Sequence, residues 1–440
     1  MVTFSKLEKK GNLGNQLFQI ASTIGIAHRN GLDYAFPRWS FQEFFSNPLP
    51  ILDAAPGSKF HEPNYHYEPI TLETADVDLE GWFQSERYFD VPLAKFYFKF
   101  DEAVISKVKN RFSEALSKTT ILISIRRGDF VDHPDYFQLP VSYYIHALVN
   151  FYPQWRESNL IILSDDIDYC KFHFSFLPNA YFGKNLPGVE QLALSTLCDH
   201  FIISNSTFSW WCAWFGEKET SIIIRPLHNF SESKRKVDDD KDYFPMRWKI
   251  YDHQNVKINL GGAVLKFARK DEVVERYMNE VFNFEKIAFG FDKSNDSASC
   301  TILIDSVILP PFALAESVAL ANEHNISTTC NLKGNFLKIS RYYDLTLFSR
   351  QFDFGIFTKI LGLRHKESEI QLFVCSPSAN KSESDENLYI NQYFAERTIY
   401  SYAGKIEGVL AYRHVLKVKK QELIRTTKRT VKMLLNIDKK

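Results

Sequence analysis

The sequence predicts an α/β fold built on parallel sheets, and three observations predict it. Ile121, Leu122, Ile123 and Ile125 form a nearly continuous apolar run, as a strand buried on both faces does. The run stops abruptly at Arg126, Arg127, Gly128 and Asp129, which gathers charge at the carboxyl end of that strand. From Thr119 onward strand and helix patterns alternate, as they do where parallel strands are joined by right-handed crossovers.

The elements follow in order. Val2 to Leu7 reads as a first strand. Gly11 to Gln16 is a glycine-containing turn opening a helix to about Asn30, because Leu13, Leu17, Ile20, Ala21, Ile24 and Ala27 keep helical spacing and Gly31 is a natural stop. The turn either directs N–H groups at an anion or hydroxyl-rich ligand, or simply joins strand to helix with Asn15 and Gln16 as caps. Asp33 to Phe36 reads as a second strand, and Trp39 to Pro69 as a long, proline- and aromatic-rich loop. Asp78 to Gln84 reads as a strand, Ser85 as the cap of a short helix over Glu86 to Phe89, and Asp101 to Lys118 as an amphipathic helix.

After the strand ending at Arg126, a helix is expected from Val141 to Tyr152. Leu160 to Leu163 is a strand ending in Ser164, Asp165 and Asp166, and Glu190 to Cys198 is helical. Phe201 to Ser204 is a strand ending in NSTFSWW, Asn205 to Trp211, which opens a helix to about Gly216; Ser221 to Ile224 is the next strand. Trp210, Trp211 and Trp214 read as core.

Composition narrows the function. Apolar residues make up 45% and charged residues 24% of 440 residues, as in a soluble globular protein. A formal net charge of zero gives no global basic field for nucleic acid. Six cysteines without a C-x-x-C pair argue against structural zinc and for free thiols in a reducing compartment. MVTFSKLEKKG lacks a signal-peptide apolar core, and the longest apolar stretch, Thr301 to Asn322, is broken by Asp305, Pro310, Pro311 and Glu316. A cytoplasmic location is therefore expected.

Three strand ends carry polar groups for one crevice, and in open α/β sheets ligands bind at that end. Arg126 and Arg127 offer forked donors that match phosphate oxygens two at a time. The blander reading pairs one arginine with Asp129 and turns the other to water; an adhesion tripeptide at Arg127-Gly128-Asp129 is disfavoured because it is fused to a core strand. Asn205, Ser206, Thr207 and Ser209 offer hydroxyls and helix N-terminal N–H groups, a phosphate cradle without a metal, or else an N-cap. Asp165 could accept from a base or ribose, or cap the next helix. Two D-x-D segments, Asp76 to Asp78 and Asp166 to Asp168, raise a divalent metal. Two arginines at the phosphate site do the same electrostatic work, so no metal is expected.

Together these segments resemble the α-1,2-fucosyltransferases of glycosyltransferase family 11. Gly11 to Gln16 matches that family's G-x-L-G-N-Q, and Gln84 to Phe89 (QSERYF) its Q-S-E-[KR]-Y-F. Arg126 to Asp129 matches H-x-R-R-G-D, Ser164 to Asp166 resembles F-S-D-D, and Asn205 to Trp211 matches N-S-T-F-S-W-W. Asp242 to Trp248 (DYFPMRW) resembles the closing P-x-x-W. The resemblance spans roughly residues 1–257, with one departure: Ser124 stands where the family has histidine, which leaves room beside the nucleotide.

The resemblance implies a GT-B arrangement of two facing Rossmann-like domains, 1–118 on the acceptor side and 119–257 binding the donor. It implies GDP-β-L-fucose as donor substrate, no cofactor, inversion at the anomeric carbon, and a galactoside hydroxyl of a surface or lipid-linked glycan as acceptor. Ser124, Arg126, Arg127, Ser164, Asp165, Asn205, Ser206, Thr207, Phe208 and Ser209 would bind the donor. Asn12, Gly14, Asn15 and Gln16 would lie across the cleft near fucose and acceptor. Arg126 would stabilise the leaving diphosphate, with Asp129 and Glu86 as base candidates by residue type. The alternatives are another nucleotide sugar, or a non-catalytic sugar-nucleotide or glycan-binding protein.

Residues 258–440 carry none of these segments and read as an additional α/β module, with strands at Thr301 to Leu309 and Ile370 to Val374 and a helix at Phe312 to His324. Lys417 to Lys440 holds nine Lys or Arg against two acids and is loosely amphipathic. It suits either peripheral contact with an anionic membrane or a solvated terminal helix.

Overall fold

The computed structural model describes residues 1–260 except 55, 132, 176 and 253–255, and beyond them 263–267, 278–279, 281–284, 286–289, 300–304, 312, 315–316, 327–334 and 368–375. In chain order the first part contains β1 (Val2–Thr3), α1 (Leu13–Arg29), β2 (Lys59–His61), β3 (Val77–Glu80), α2 (Val91–Tyr97) and α3 (Glu102–Arg111). Then come β4 (Thr120–Ile125), α4 (Val141–Phe151), β5 (Asn159–Ser164), α5 (Ile167–Phe174), β6 (Ala180–Phe182), α6 (Gly188–Ser195), β7 (His200–Ile203), α7 (Thr207–Gly216), β8 (Ile223–Pro226), α8 (Glu232–Arg235) and β9 (Lys249–Tyr251).

Six of these strands form one sheet in the order β6-β5-β4-β7-β8-β9, and every pairing is parallel. Taken in sequence the order is 3-2-1-4-5-6, the doubly wound arrangement, and chain direction across the sheet reverses between β4 and β7. All six residues of β4 are buried, which is why the strand reads as a nearly continuous apolar run. The helices between strands cover the faces: Tyr143 on α4 donates its hydroxyl to the Ile203 carbonyl at 3.1 Å, and Asp166 caps α5 by accepting from the Tyr169 N–H at 3.2 Å.

The amino-terminal part is a smaller parallel sheet, β1-β3-β2, extended by single bridges from Val2 to Tyr34 and from Phe36 to Ile51. Asp33 to Phe36 thus makes bridges but no strand, and Trp39 to Pro69 contains β2 and a 3-10 turn at Gln42–Phe44. The long helix predicted from Asp101 stops at Arg111, followed by a 3-10 turn at Ala115–Ser117.

The two sheets share one apolar core. Phe18 of α1 lies 4.6 Å from Trp210 and 5.1 Å from Trp211 of α7 between ring centroids, and Phe89 stacks on Trp211 at 5.5 Å. All of them are buried. At this point the segment expected to lie across a cleft lies close to α7.

Beyond β9, β10 (Ile258–Asn259) pairs with a short strand at Phe282–Asn283, and a mixed five-stranded sheet forms from segments that include Cys300–Ile304 and Ser368–Cys375. The predicted strands at 301–309 and 370–374 therefore appear within 300–304 and 368–375. Glu316 is buried and salt-bridged to Arg156 at 2.5 Å, and Phe312 packs 5.3 Å from Trp155, so this stretch docks on the doubly wound sheet. Most of the helix predicted at 312–324, and the basic tail 417–440, lie outside the described residues. Among the described residues no helix is long and apolar enough to cross a membrane.

Candidate active site

The site is built where sheet direction reverses. β4 delivers Arg126 and Arg127 at its carboxyl end, β5 delivers Asp165 beside them, and β7 delivers the first turn of α7. In a doubly wound sheet this crevice is where a ligand reaches several strand ends at once.

The two arginines part company. Arg126 faces outward: its Nε and Nη2 reach Asp129 Oδ1 at 3.0 and 2.6 Å, and its Nη1 lies 3.2 Å from Asp165 Oδ2. Three of the five guanidinium donors serve these two carboxylates, which leaves the others for an incoming anion. Arg127 turns inward, only 5% exposed, with its guanidinium 3.8 Å from the centre of the Tyr169 ring and its Nε 3.6 Å from Asp166 Oδ2. A buried cation needs a ring or a carboxylate to offset desolvation, and here it has both. Arg127 therefore braces the ends of β4 and β5 instead of offering its fork to a donor, and it does not face water as the blander reading had it.

Asp165 is the hinge pin of this joint. Its Oδ1 accepts from the Arg127 backbone N–H at 2.9 Å while Oδ2 faces Arg126. A Cβ on Gly128 would collide with that carboxylate, so any larger residue would push the Asp165 side chain aside. Asp166, not Asp165, caps α5; the Asp166 N–H in turn donates to Ser164 Oγ at 3.0 Å.

Across the crevice, Ser206 caps α7 by accepting from the Ser209 N–H at 3.1 Å. Ser204, Ser206, Ser209 and Ser124 join through buried hydroxyl contacts of 2.7–3.3 Å. Ser124 is thus part of the floor beneath the helix, 2% exposed and hydrogen-bonded to Ser209. Asn205 is also taken up: its Nδ2 donates to the Phe137 and Asn229 carbonyls and ties two loops together. Thr207 and Phe208 remain at the mouth, and among the described residues their backbone N–H groups have no protein acceptor. Free amides at a helix N-terminus favour an anion.

The amino-terminal segments join α7 and the closing segment. Trp211 Nε1 donates to the Gly14 carbonyl at 2.8 Å. A Cβ on Gly14 would stand 2.7 Å from Thr207 Oγ1 and 2.8 Å from the Phe208 N, so glycine lets the turn sit against the first turn of α7. Asn12 is the N-cap residue of α1, without a side-chain cap bond. Asn15 Oδ1 accepts from Gln84 Nε2 at 2.8 Å, and Gln16 Oε1 from Trp39 Nε1 at 2.9 Å. Ser85 Oγ donates to the Asp242 carbonyl, and Arg87 meets Asp242 Oδ1 at 2.9 Å. Glu86 does not join the crevice cluster: it takes Arg247 through both oxygens, at 2.5 and 2.8 Å, and Trp214 Nε1 at 2.8 Å. A carboxylate held this way is a clasp and a poor general base.

One carboxyl group carried no signal in the sequence. Glu62 follows β2 and accepts from the Trp82 and Phe83 N–H groups at 2.6 and 2.8 Å. Burial outweighs those bonds and pushes its pKa up to about 7. Its partners come twenty residues later, so nothing local marks it. Two of the D-x-D carboxylates are engaged within the fold: Asp78 accepts from the Ser5 N–H and hydroxyl, and Asp166 is a cap. Among the described residues no three His, Cys, Asp or Glu side chains group as metal ligands.

The profile of Glycosyl transferase family 11 matches residues 4–251. The chain belongs to this family. Among its relatives is the O-antigen biosynthesis glycosyltransferase WbnK of Escherichia coli, 31% identical over 123 residues, or 26% of this chain and 41% of that protein. The chain thus spans less than half the length of that relative. The alpha-1,2-colitosyltransferase of Escherichia coli is 29% identical over 213 residues, covering 46% of this chain and 71% of its own. The solved fucosyltransferase NodZ from Bradyrhizobium is 14% identical and overlaps 48% of this chain and 91% of its own, with a TM-score of 0.33. For this family-11 chain, the segments that carry the family likeness fall into two groups. Arg126, Asp129 and Asp165 meet at the ends of β4 and β5, with the first turn of α7 at the end of the neighbouring β7, whereas QSERYF and DYFPMRW clasp each other.

Proposed function

We propose that the protein is an inverting glycosyltransferase that moves L-fucose from GDP-fucose to a galactoside hydroxyl, in α-1,2 linkage, on a surface or lipid-linked glycan. Its two Rossmann-like sheets serve as the acceptor and donor sides of a GT-B enzyme. The observation that carries this reading is Arg126 at the end of β4, the strand paired with the β7 strand that leads into the first turn of α7, on a family-11 chain. A leaving diphosphate gains negative charge in the transition state, and fixed donors there lower the barrier. In this reading Arg126 and the Thr207 and Phe208 amides hold the diphosphate. Asp129, with its side chain 62% exposed beside Arg126, is the base candidate that stands at the crevice.

A second reading keeps the fold and the chemistry and changes the donor sugar; the colitosyltransferase relative favours it. One experiment separates the readings. The protein, a β-galactoside acceptor and a panel of nucleotide sugars are incubated in EDTA, and nucleoside diphosphate release is measured. GDP-fucose is expected to be turned over without divalent metal. Turnover only with another donor replaces fucose, and turnover only after Mn²⁺ or Mg²⁺ is restored overturns the arginine account. Binding without any turnover leaves a sugar-nucleotide or glycan-binding protein.

The basic segment Lys417 to Lys440 motivates a further contact, with anionic lipid. Deleting it is expected to reduce co-sedimentation with phosphatidylserine vesicles in a salt-sensitive way and to leave GDP binding intact. Equal vesicle binding by full-length and truncated protein removes the lipid contact.

A further inference from the structure

A second charged cavity lies at the carboxyl ends of β8 and β9, and none of the residues that line it was named for the donor. Its volume is about 280 Å³, close to the lower end for small-molecule pockets. Arg225, His228, Arg235, Asp239, Asp240 and Lys241 line it. Four of the six are engaged with one another. Lys241 meets Asp239 at 2.9 Å, and His228 lies 3.4 Å from Asp240. Asp240 also accepts the Asn229 and Phe230 N–H groups at 2.7 and 3.0 Å.

The two arginines are left over. Arg225 Nη1 donates to the Pro226 and Leu227 carbonyls at 3.1 Å, and its guanidinium lies 5.0 Å from the Phe244 ring centre. Neither Arg225 nor Arg235 forms a salt bridge among the described residues, and the Nε of each is buried without a hydrogen-bond partner. Burial lowers the Arg225 pKa from its ordinary value, and the charge of nearby Asp240 offsets this only in part. A buried donor without an acceptor is costly, and two of them on one cavity wall are best satisfied by a shared oxyanion.

We propose that this cavity is a second oxyanion site, which holds a phosphate or carboxylate of the glycan acceptor while the donor is bound. As an acceptor subsite it rests on the transfer reading above. The half-exposed Ile250 on its rim and the Phe244 ring suit the apolar face of a sugar next to that anion.

The test titrates the full chain with inorganic pyrophosphate and, separately, with methyl β-glucuronide, by calorimetry, with and without saturating GDP. At least one anion is expected to bind wild type in the presence of GDP. Arg235→Gln is expected to weaken that binding about tenfold or more, with GDP affinity unchanged; Arg235→Lys, which keeps charge and loses the fork, is expected to fall between. Pyrophosphate binding assigns the site to a phosphorylated carrier, and glucuronide binding assigns it to an acidic sugar. The proposal is overturned if neither anion binds wild type, if Arg235→Gln binds as well as wild type, or if that variant loses GDP to the same degree. Failure of wild type to bind GDP strikes the transfer reading instead, and the GDP-free titrations still score the anion site.

Discussion

Arg126→Lys is expected to lower kcat/KM for the nucleotide sugar by at least about a hundredfold, on the order of 3 kcal/mol of transition-state stabilisation. The wild-type guanidinium does two things at once. Nε and Nη2 close on Asp129 while Nη1 reaches Asp165. The plane of the fork is thereby fixed before any ligand arrives, with donors left for a diphosphate. A lysine ammonium is a single point with three donors on a flexible stem, so it can satisfy one carboxylate or an incoming phosphate but cannot hold that plane. The loss should appear in turnover more than in folding, because a partly exposed ion pair contributes little to stability. The measurement is donor turnover beside a thermal melt. A lysine variant that turns over near normally removes Arg126 from the chemistry; one that also melts far below wild type reassigns it to the fold.

Trp211→Ala is expected to cost about 3–5 kcal/mol of stability, the largest structural effect of any single side chain described above. Trp211 is fully buried. Its ring lies 5.1 Å from Phe18, 5.5 Å from Phe89 and 5.0 Å from Trp214, and its Nε1 donates to the Gly14 carbonyl. It therefore fills the shared core and adds a second donor to the Gly14 carbonyl in the first turn of α1. Truncation leaves a cavity and removes the indole hydrogen bond, and the cavity carries most of the cost. Trp211→Phe keeps much of the packing and loses the N–H, so it should cost less. Urea unfolding of the three proteins checks the order. A loss under about 1 kcal/mol for the alanine variant would mean that the two sheets do not depend on this joint.

Much of the fold was legible. The strand at 121–125, the helix after Gly11 and the strand–helix alternation to Ile224 follow from periodicity, because a buried strand and an amphipathic helix write their burial into local residue order. Boundaries shifted by a few residues, and α2, α5, β6 and β9 carried too little pattern to be marked. The strand order was not legible: β4 pairs with both β5 and β7, and that choice rests on contacts between residues far apart in the chain.

The site divides along the same line. The sequence by itself determined that two arginines, two carboxylates and a run of hydroxyls stand at three strand ends, since each lies next to the strand that presents it. Only the tertiary structure decided their roles. Arg126 and Arg127 are adjacent and alike, yet side chains on successive extended residues leave the backbone on opposite sides. One therefore meets Asp129 and the crevice, and the other meets Tyr169 under the sheet. Ser124 and Asn205 were read as ligands and Glu86 as a base candidate, but the Ser124 hydroxyl meets Ser209, the Asn205 Nδ2 donates to Asn229 and the Glu86 carboxylate holds Arg247. A polar residue in a sequence advertises what it can bond; whether that capacity is free for a ligand depends on partners that only folding brings within reach.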